Sequence, residues 1–209
     1  MSQAAPEYAE TAGSVKMLGL KLPTDPRWVN IAEKSLGEIL IDHAFCEQKA
    51  ASSGISLIVK YPEKEKLVEE VTPLVAEEWG HFRKVLKEMA KRGVQLTHKR
   101  RDDYVVELAA LKNKGGSRDA QLVEELLICA MIEARSCERF RLLSLYCSDI
   151  ELRGFYHEFM VSEAGHYRMF LDLAMEYMPE EYVKNRWKEI LDGEARIIST
   201  LEYRGDRVH

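Results

Sequence analysis

The sequence predicts an all-α protein: a four-helix bundle with one long crossover and an extra C-terminal helix. Three observations predict it. Glycine and proline are few, 12 and 6 in 209 residues, and both are scarce over 27–92 and 118–177. A β-rich domain needs more frequent turn punctuation. Apolar residues recur at helical spacing through both stretches. Each stretch then divides once, after Lys60 and near Asp149, so the two read as hairpins joined by a long connection. With 46% hydrophobic and 31% charged residues the chain can build a full core, which excludes a disordered protein. A single domain over 1–209 is expected.

The elements follow in order. Residues 1–24 show little periodicity and read as an arm along the bundle. Thr24-Asp25-Pro26 starts the first helix, a capping residue followed by proline in the first turn. That helix continues to Lys60, weakened at Gly54 by ~1 kcal/mol relative to alanine. The second runs from Glu63 to Arg92 and stops at Gly93. Pro73 inside it predicts a kink or a restart capped by Thr72. Residues 94–117 form the crossover, with a short amphipathic piece from Asp102 to Leu111 and a flexible tip, Lys114-Gly115-Gly116-Ser117. The third helix spans Arg118 to about Ser148, and the fourth Asp149 to Tyr177. Pro179 opens the extra helix, 179–202, and a polar tail follows. Two hairpins and one long crossover make the ferritin-like arrangement.

Several classes are excluded. The longest apolar run, Leu126 to Ile132, is too short to span a bilayer. Glu7, Glu10 and Lys16 interrupt any signal-peptide core, so a soluble, cytoplasmic protein is expected. The cysteines at 46, 129, 137 and 147 contain no CxxC. A zinc ribbon, a rubredoxin site and a thioredoxin-like motif are therefore not expected, and buried reduced thiols are.

The chemistry lies on the core faces. Two histidines have glutamate three positions earlier: Glu78-Trp79-Gly80-His81 and Glu163-Ala164-Gly165-His166. Glu-x-x-His alone is a weak signal, but residues three apart share a helix face. The first pair interrupts the apolar stripe Val71, Leu74, Val85, Met89. The second interrupts Leu152, Phe155, Phe159, Phe170, Leu173. Glu47 and Glu133 interrupt the stripes of the first and third helices in the same way. Glu47 lies 13 residues before Lys60 and Glu78 15 after Glu63; Glu133 lies 16 before Asp149 and Glu163 14 after it. At ~1.5 Å per residue, antiparallel partners come level to within ~3 Å. One height of the core thus gathers four carboxylates and two imidazoles. Four buried anions repel one another unless cations are bound. Two divalent metals neutralise four carboxylates, and glutamate from two helices with Glu-x-x-His from two others is the di-iron or di-manganese pattern. Oxygen-rich sites with one nitrogen per metal suit iron or manganese better than structural zinc. Any one of these six alone would read as a solvated or salt-bridged helix residue. His43, one turn before Glu47, either supports that glutamate or is an ordinary core histidine. Glu77, Glu138 and Glu158 fall off the stripes and are expected to be exposed or paired.

The residues around these positions carry a resemblance. The segment Asp42-His43-Ala44-Phe45-Cys46-Glu47-Gln48-Lys49-Ala50-Ala51, then Tyr61-Pro62 and Glu78-x-x-His81-Phe82, resembles the MiaE-like tRNA hydroxylases. So do Ile132-Glu133-Ala134-Arg135-Ser136-Cys137-Glu138-Arg139-Phe140 and Ser162-Glu163-Ala164-Gly165-His166-Tyr167. The resemblance covers roughly residues 20–205. It implies a non-haem di-iron monooxygenase that hydroxylates the isopentenyl group of 2-methylthio-isopentenyladenosine next to the tRNA anticodon. It further implies two irons held by Glu47, Glu78, His81, Glu133, Glu163 and His166, with dioxygen as co-substrate. The expected partners are the tRNA anticodon stem-loop and an external reductase, with no membrane and no DNA. No flavin or nicotinamide fingerprint and no iron–sulfur cysteine cluster is present, so electrons have to come from elsewhere. Bacterioferritin-like and rubrerythrin-like proteins carry the same six ligands and are the alternative. The missing rubredoxin-type cysteines argue against a full rubrerythrin, and the long crossover and extra helix against a storage cage. A metal-free helical scaffold is the third class, which metal analysis separates from both.

The net charge of −5 offers no general attraction to phosphate, but it is unevenly spread. Residues 91–118 carry a net +5, leaving −10 on the remainder. Lys99, Arg100, Arg101, Lys112, Lys114 and Arg118 are therefore the candidate tRNA contacts, with Arg186, Lys188, Arg196 and Arg204 next. A solvated charged loop is the other reading.

Overall fold

The structure, a computed structural model, describes residues 18–98, 102–201 and 205–208. Most of the expected N-terminal arm, the basic triplet Lys99, Arg100 and Arg101, and Arg204 lie outside the described residues. Among those described there are seven α-helices and no strand. They are α1 (Trp28–Ala32), α2 (Leu36–Lys60), α3 (Glu65–Lys91), α4 (Asp103–Ala110), α5 (Arg118–Tyr146), α6 (Ile150–Tyr177) and α7 (Glu180–Thr200). The pairs α2–α3 and α5–α6 form the two hairpins of the bundle, and α4 lies in the crossover between them. Helix α7 packs on α4, α5 and α6. This is the ferritin-like arrangement.

Side-chain caps fix three starts. Asp102 accepts from the Val105 N–H, Ser117 from Ala120, and Asp149 from Glu151 and Leu152, each satisfying an orphan donor of a first turn. The expected first helix is interrupted: a 3₁₀ turn at Glu33–Ser35 separates α1 from α2, and Ser35 leaves helical geometry at φ −139°. Thr24 does not cap it. Its N–H and hydroxyl both donate to Glu138, at 2.7 Å each, while Asp25 accepts from the Arg27 N–H. Pro73 does not break α3. It lies on the exposed side, where water can satisfy the carbonyl that loses its donor. Thr72 turns its hydroxyl back to the Val68 carbonyl at 2.6 Å instead of capping a restart. Gly54 is where α2 meets α3, since a Cβ there would come within 2.6 Å of Val75.

The apolar core is two clusters, not one. Leu57, Leu67, Leu74, Leu126 and Phe170 belong to the first, and Ile39, Val85, Phe140, Leu152 and Phe159 to the second. On α2, α3 and α6 the singled-out polar residues fall between them, and on α5 Glu133 lies at the edge of the first, beside Ala134.

Outside the bundle core, Arg135 is fully buried on α5. It donates to Glu194 on α7, to Glu138 and to the Leu22 carbonyl, which ties the N-terminal segment and α7 to the bundle. The tail, expected only to be polar, folds back on α2. Val208 is buried and its N–H donates to Asp42 at 2.8 Å. Among the described residues no helix is long and apolar enough to cross a membrane, and the four cysteines are free thiols.

Candidate metal centre

Glu47 on α2, Glu78 and His81 on α3, Glu133 on α5, and Glu163 and His166 on α6 converge in the layer between the two apolar clusters. Their donor atoms form two overlapping sets. Glu47, Glu78, His81 and Glu163 each offer an atom, all within 4.8 Å of one another; so do Glu78, Glu133, Glu163 and His166. Glu78 and Glu163 belong to both sets, and each set adds one glutamate and one histidine of its own. That is the donor pattern for two adjacent cations sharing two carboxylates.

The rings are oriented alike. Nδ1 of His81 faces inward, 3.4 Å from Glu47 and 3.7 Å from Glu78. Nδ1 of His166 lies 2.8 Å from Glu78 and 3.4 Å from Glu163. Glu47 Oε2, Glu78 Oε1, Glu163 Oε2 and both Nδ1 atoms are buried without a hydrogen-bond partner, the close His166–Glu78 approach lacking the geometry of one. Buried polar atoms are rarely left so. Cations between them would satisfy all five at once, so the residues present fit a pair of divalent metals.

The electrostatics of the metal-free protein agree. Burial, then repulsion from Glu163 and Glu78, pushes Glu47 well above the usual carboxylate range. Burial and Glu163 do the same to Glu133. Burial would also raise Glu78, but the imidazoles of His166 and His81 outweigh it and hold that carboxyl below its usual range. For His166 burial is outweighed by Glu163 and Glu78, and its pKa rises to about 11.

His43 is fully buried with Nε2 2.8 Å from Glu47 Oε1. Its ring is caged by Phe140 and Phe159, both at 4.5 Å between centroids. It touches both the glutamate and the aromatic core, so the two readings of this histidine meet in one position.

A family model described as tRNA-(MS[2]IO[6]A)-hydroxylase (MiaE) matches residues 12–209. The chain belongs to the MiaE family. A tRNA 2-(methylsulfanyl)-N(6)-isopentenyladenosine(37) hydroxylase from Pseudomonas putida is 40% identical over 161 residues, 77% of each chain. The enzyme of the same name from Salmonella typhimurium is 27% identical over 211 aligned positions, covering 78% of this chain and 77% of its own. A solved structure of a Synechococcus protein with aldehyde deformylating oxygenase activity superposes with a TM-score of 0.85 at 32% identity, covering 91% of this chain and 94% of that one. The chain is thus an enzyme, a tRNA hydroxylase of the MiaE family on a ferritin-like scaffold.

Two features of this MiaE-family site lie outside the sequence reading. Glu77, expected to be merely exposed or paired, reaches the outer edge of both imidazoles. Its oxygens lie 3.4 Å from His166 Nε2 and 3.8 Å from His81 Nε2, and it accepts from the Ser162 hydroxyl at 2.5 Å. The signal was present: Glu77 and Ser162 each stand one residue before a motif glutamate, 85 positions apart like the motifs themselves. The second feature is a cavity of about 290 Å³ between α2 and α5, beneath the start of α4. Ala50, Val105, Cys129 and Ile132 form apolar walls, and it reaches Glu133 but neither histidine of the cluster. Lys49 and Asp102, paired at 2.9 Å, also line it.

The basic crossover is less available than its charge suggests. Arg118 pairs with Glu63 at 2.6 Å and lies over the Tyr61 ring. Lys91 and Arg92 hold Glu88, and Arg92 also holds Asp149. Lys112 is half-buried and Lys114 exposed. Among the next candidates, Arg186 is buried against Glu124 and does not face solvent as an open cation.

Proposed function

We propose that this chain hydroxylates the isopentenyl group of 2-methylthio-isopentenyladenosine beside the tRNA anticodon, with two irons, dioxygen and electrons from a separate reductase. The observation that carries this reading is the pair of overlapping donor sets in a member of the MiaE family. Glu47 and His81 would hold one iron and Glu133 and His166 the other, with Glu78 and Glu163 shared. The chemistry the metals supply when bound is reduction of dioxygen to an oxidant able to attack a C–H bond of the prenyl group. The protein's own contribution is position. The apolar side of the cavity, Ala50, Val105, Cys129 and Ile132, would seat the prenyl carbons against the Glu133 side of the cluster, with Lys49, Ser52, Ser53 and Asp102 on its polar side. At about 290 Å³ the cavity is at the lower end of the ~300–1,000 Å³ typical of small-molecule sites. It suits one base with its side chain, so the nucleotide has to leave the loop stack to be reached. Lys99, Arg100 and Arg101 are the proposed phosphate contacts ahead of Arg118, which is already paired with Glu63.

Aerobic turnover of an isopentenylated anticodon stem-loop by iron-loaded enzyme with a reductant tests the reading. The expected product carries one added oxygen on the prenyl group, read nucleoside by nucleoside. A second reading comes from the Synechococcus relative: oxygen-dependent deformylation of an aldehyde. Release of formate from aldehydes, with an unaltered stem-loop, would replace the first reading with the second.

A further inference from the structure

We infer that Glu77 is a shared positioning residue for both histidines of the cluster, holding two rings on two helices with one carboxylate. This rests on the reading of the six buried side chains as metal ligands. The geometry supports it as follows. Both imidazoles turn Nδ1 toward the carboxylate layer and Nε2 away from it. A neutral imidazole that offers Nδ1 to a metal carries its proton on Nε2, and that N–H needs an acceptor. Glu77 is the carboxylate on that side, within hydrogen-bond distance of His166 and just beyond it at His81. Oε1 faces His81 and Oε2 faces His166, at 3.8 and 3.4 Å. Ser162 fixes the carboxylate through Oε1 and stands 3.4 Å from His166 Nε2 itself.

The arrangement differs from one carboxylate per histidine, the common outer partner of a metal-bound imidazole. Glu77 is on α3 with His81, while His166 and Ser162 are on α6. The contact therefore spans the two hairpins on the side of the cluster away from the cavity. A single side chain then sets the tautomer and tilt of both rings, so its loss disturbs both metal positions together. Glu77 is itself half-exposed, with a side chain 51% accessible, and it contributes nothing to either apolar cluster. Its replacement leaves the fold in place.

Two readouts test this, and neither is turnover. The first is exchange of the Nε2–H protons with water in protein loaded with zinc as a diamagnetic divalent probe, read by nitrogen NMR of labelled histidine. Wild type is expected to show slow exchange at both His81 and His166, and Glu77→Ala fast exchange at both. The second is ferrous ion titration. Glu77→Ala is expected to weaken both equivalents of iron by about 10–100-fold. Glu77→Gln, which keeps only one acceptor oxygen, should weaken one equivalent more than the other, and Ser162→Ala should fall between wild type and Glu77→Ala. Wild-type affinity and unchanged Nε2–H exchange in Glu77→Ala, with helical content intact, would overturn the inference. So would loss of one equivalent alone in that variant. A wild type that itself takes up no metal would overturn the ligand reading and this inference with it, an outcome distinct from wild-type binding that Glu77→Ala leaves unchanged.

Discussion

Replacing Glu133 with glutamine should make the metal-free protein more stable while removing its ability to hold two irons. The reason is the layer between the two apolar clusters, where Glu133 offers an oxygen within 4.8 Å of donor atoms of Glu78 and Glu163. Two like charges at 4.8 Å repel by about 3 kcal/mol at an effective dielectric constant of about 20. Protonation relieves part of this, because burial and Glu163 already raise the Glu133 pKa well above the usual carboxylate range. A gain of about 1–3 kcal/mol therefore remains near pH 8, or about 2–12 °C in Tm for a domain of this size. The pH dependence has a definite direction. A carboxyl whose folded pKa is raised contributes its stability below its unfolded value and loses it as pH rises through the folded value. The gain in Glu133→Gln should thus be small at pH 5 and grow toward pH 8. Calorimetry in chelator at both pH values, with iron counted separately, gives the answer. An unchanged or lower Tm at pH 8 would show that the cluster is not a layer of mutually repelling carboxylates. Two tightly bound irons in the variant would show that Glu133 is not a ligand.

Three further outcomes are expected. His81→Ala or His166→Ala should abolish hydroxylation yet keep most of the far-UV helical signal, because the apolar clusters carry the fold; near-normal turnover in either variant removes that histidine from the ligand set. Arg135→Met leaves Glu194 and Glu138 buried without their cation, which costs about 3–5 kcal/mol and should lower Tm by roughly 6–20 °C, measured on iron-free protein. Reversing Lys99, Arg100 and Arg101 to glutamate should weaken anticodon stem-loop binding and flatten the slope of log affinity against log salt by ~0.7–0.9 per lost phosphate contact, with iron content unchanged; an unchanged affinity and slope would move the RNA to Lys188 and Arg196.

The periodicity of the chain determined a good deal by itself. Helical spacing fixes which side chains share a face, and short hairpin loops fix which residues come level. Those two facts alone bring Glu47, Glu78, His81, Glu133, Glu163 and His166 to one height, where the structure also places them. Both are local properties of a regular helix, so sequence carries them. What tertiary structure decided is of another kind. That Glu77 and Ser162 meet across the two hairpins depends on how α3 and α6 are rotated against each other. The burial of Arg135 with Glu194, and of Arg186 with Glu124, depends on where α7 docks. The tail's hold on Asp42 and the pairing of Arg92 with Asp149 and of Arg118 with Glu63 likewise join residues that no period relates. Charge counted along a chain ignores such pairing, which is why the basic crossover is partly neutralised in three dimensions. Whether a polar side chain is a solvated surface group or a buried partner is set by what lies opposite it, and only the packed helices supply that.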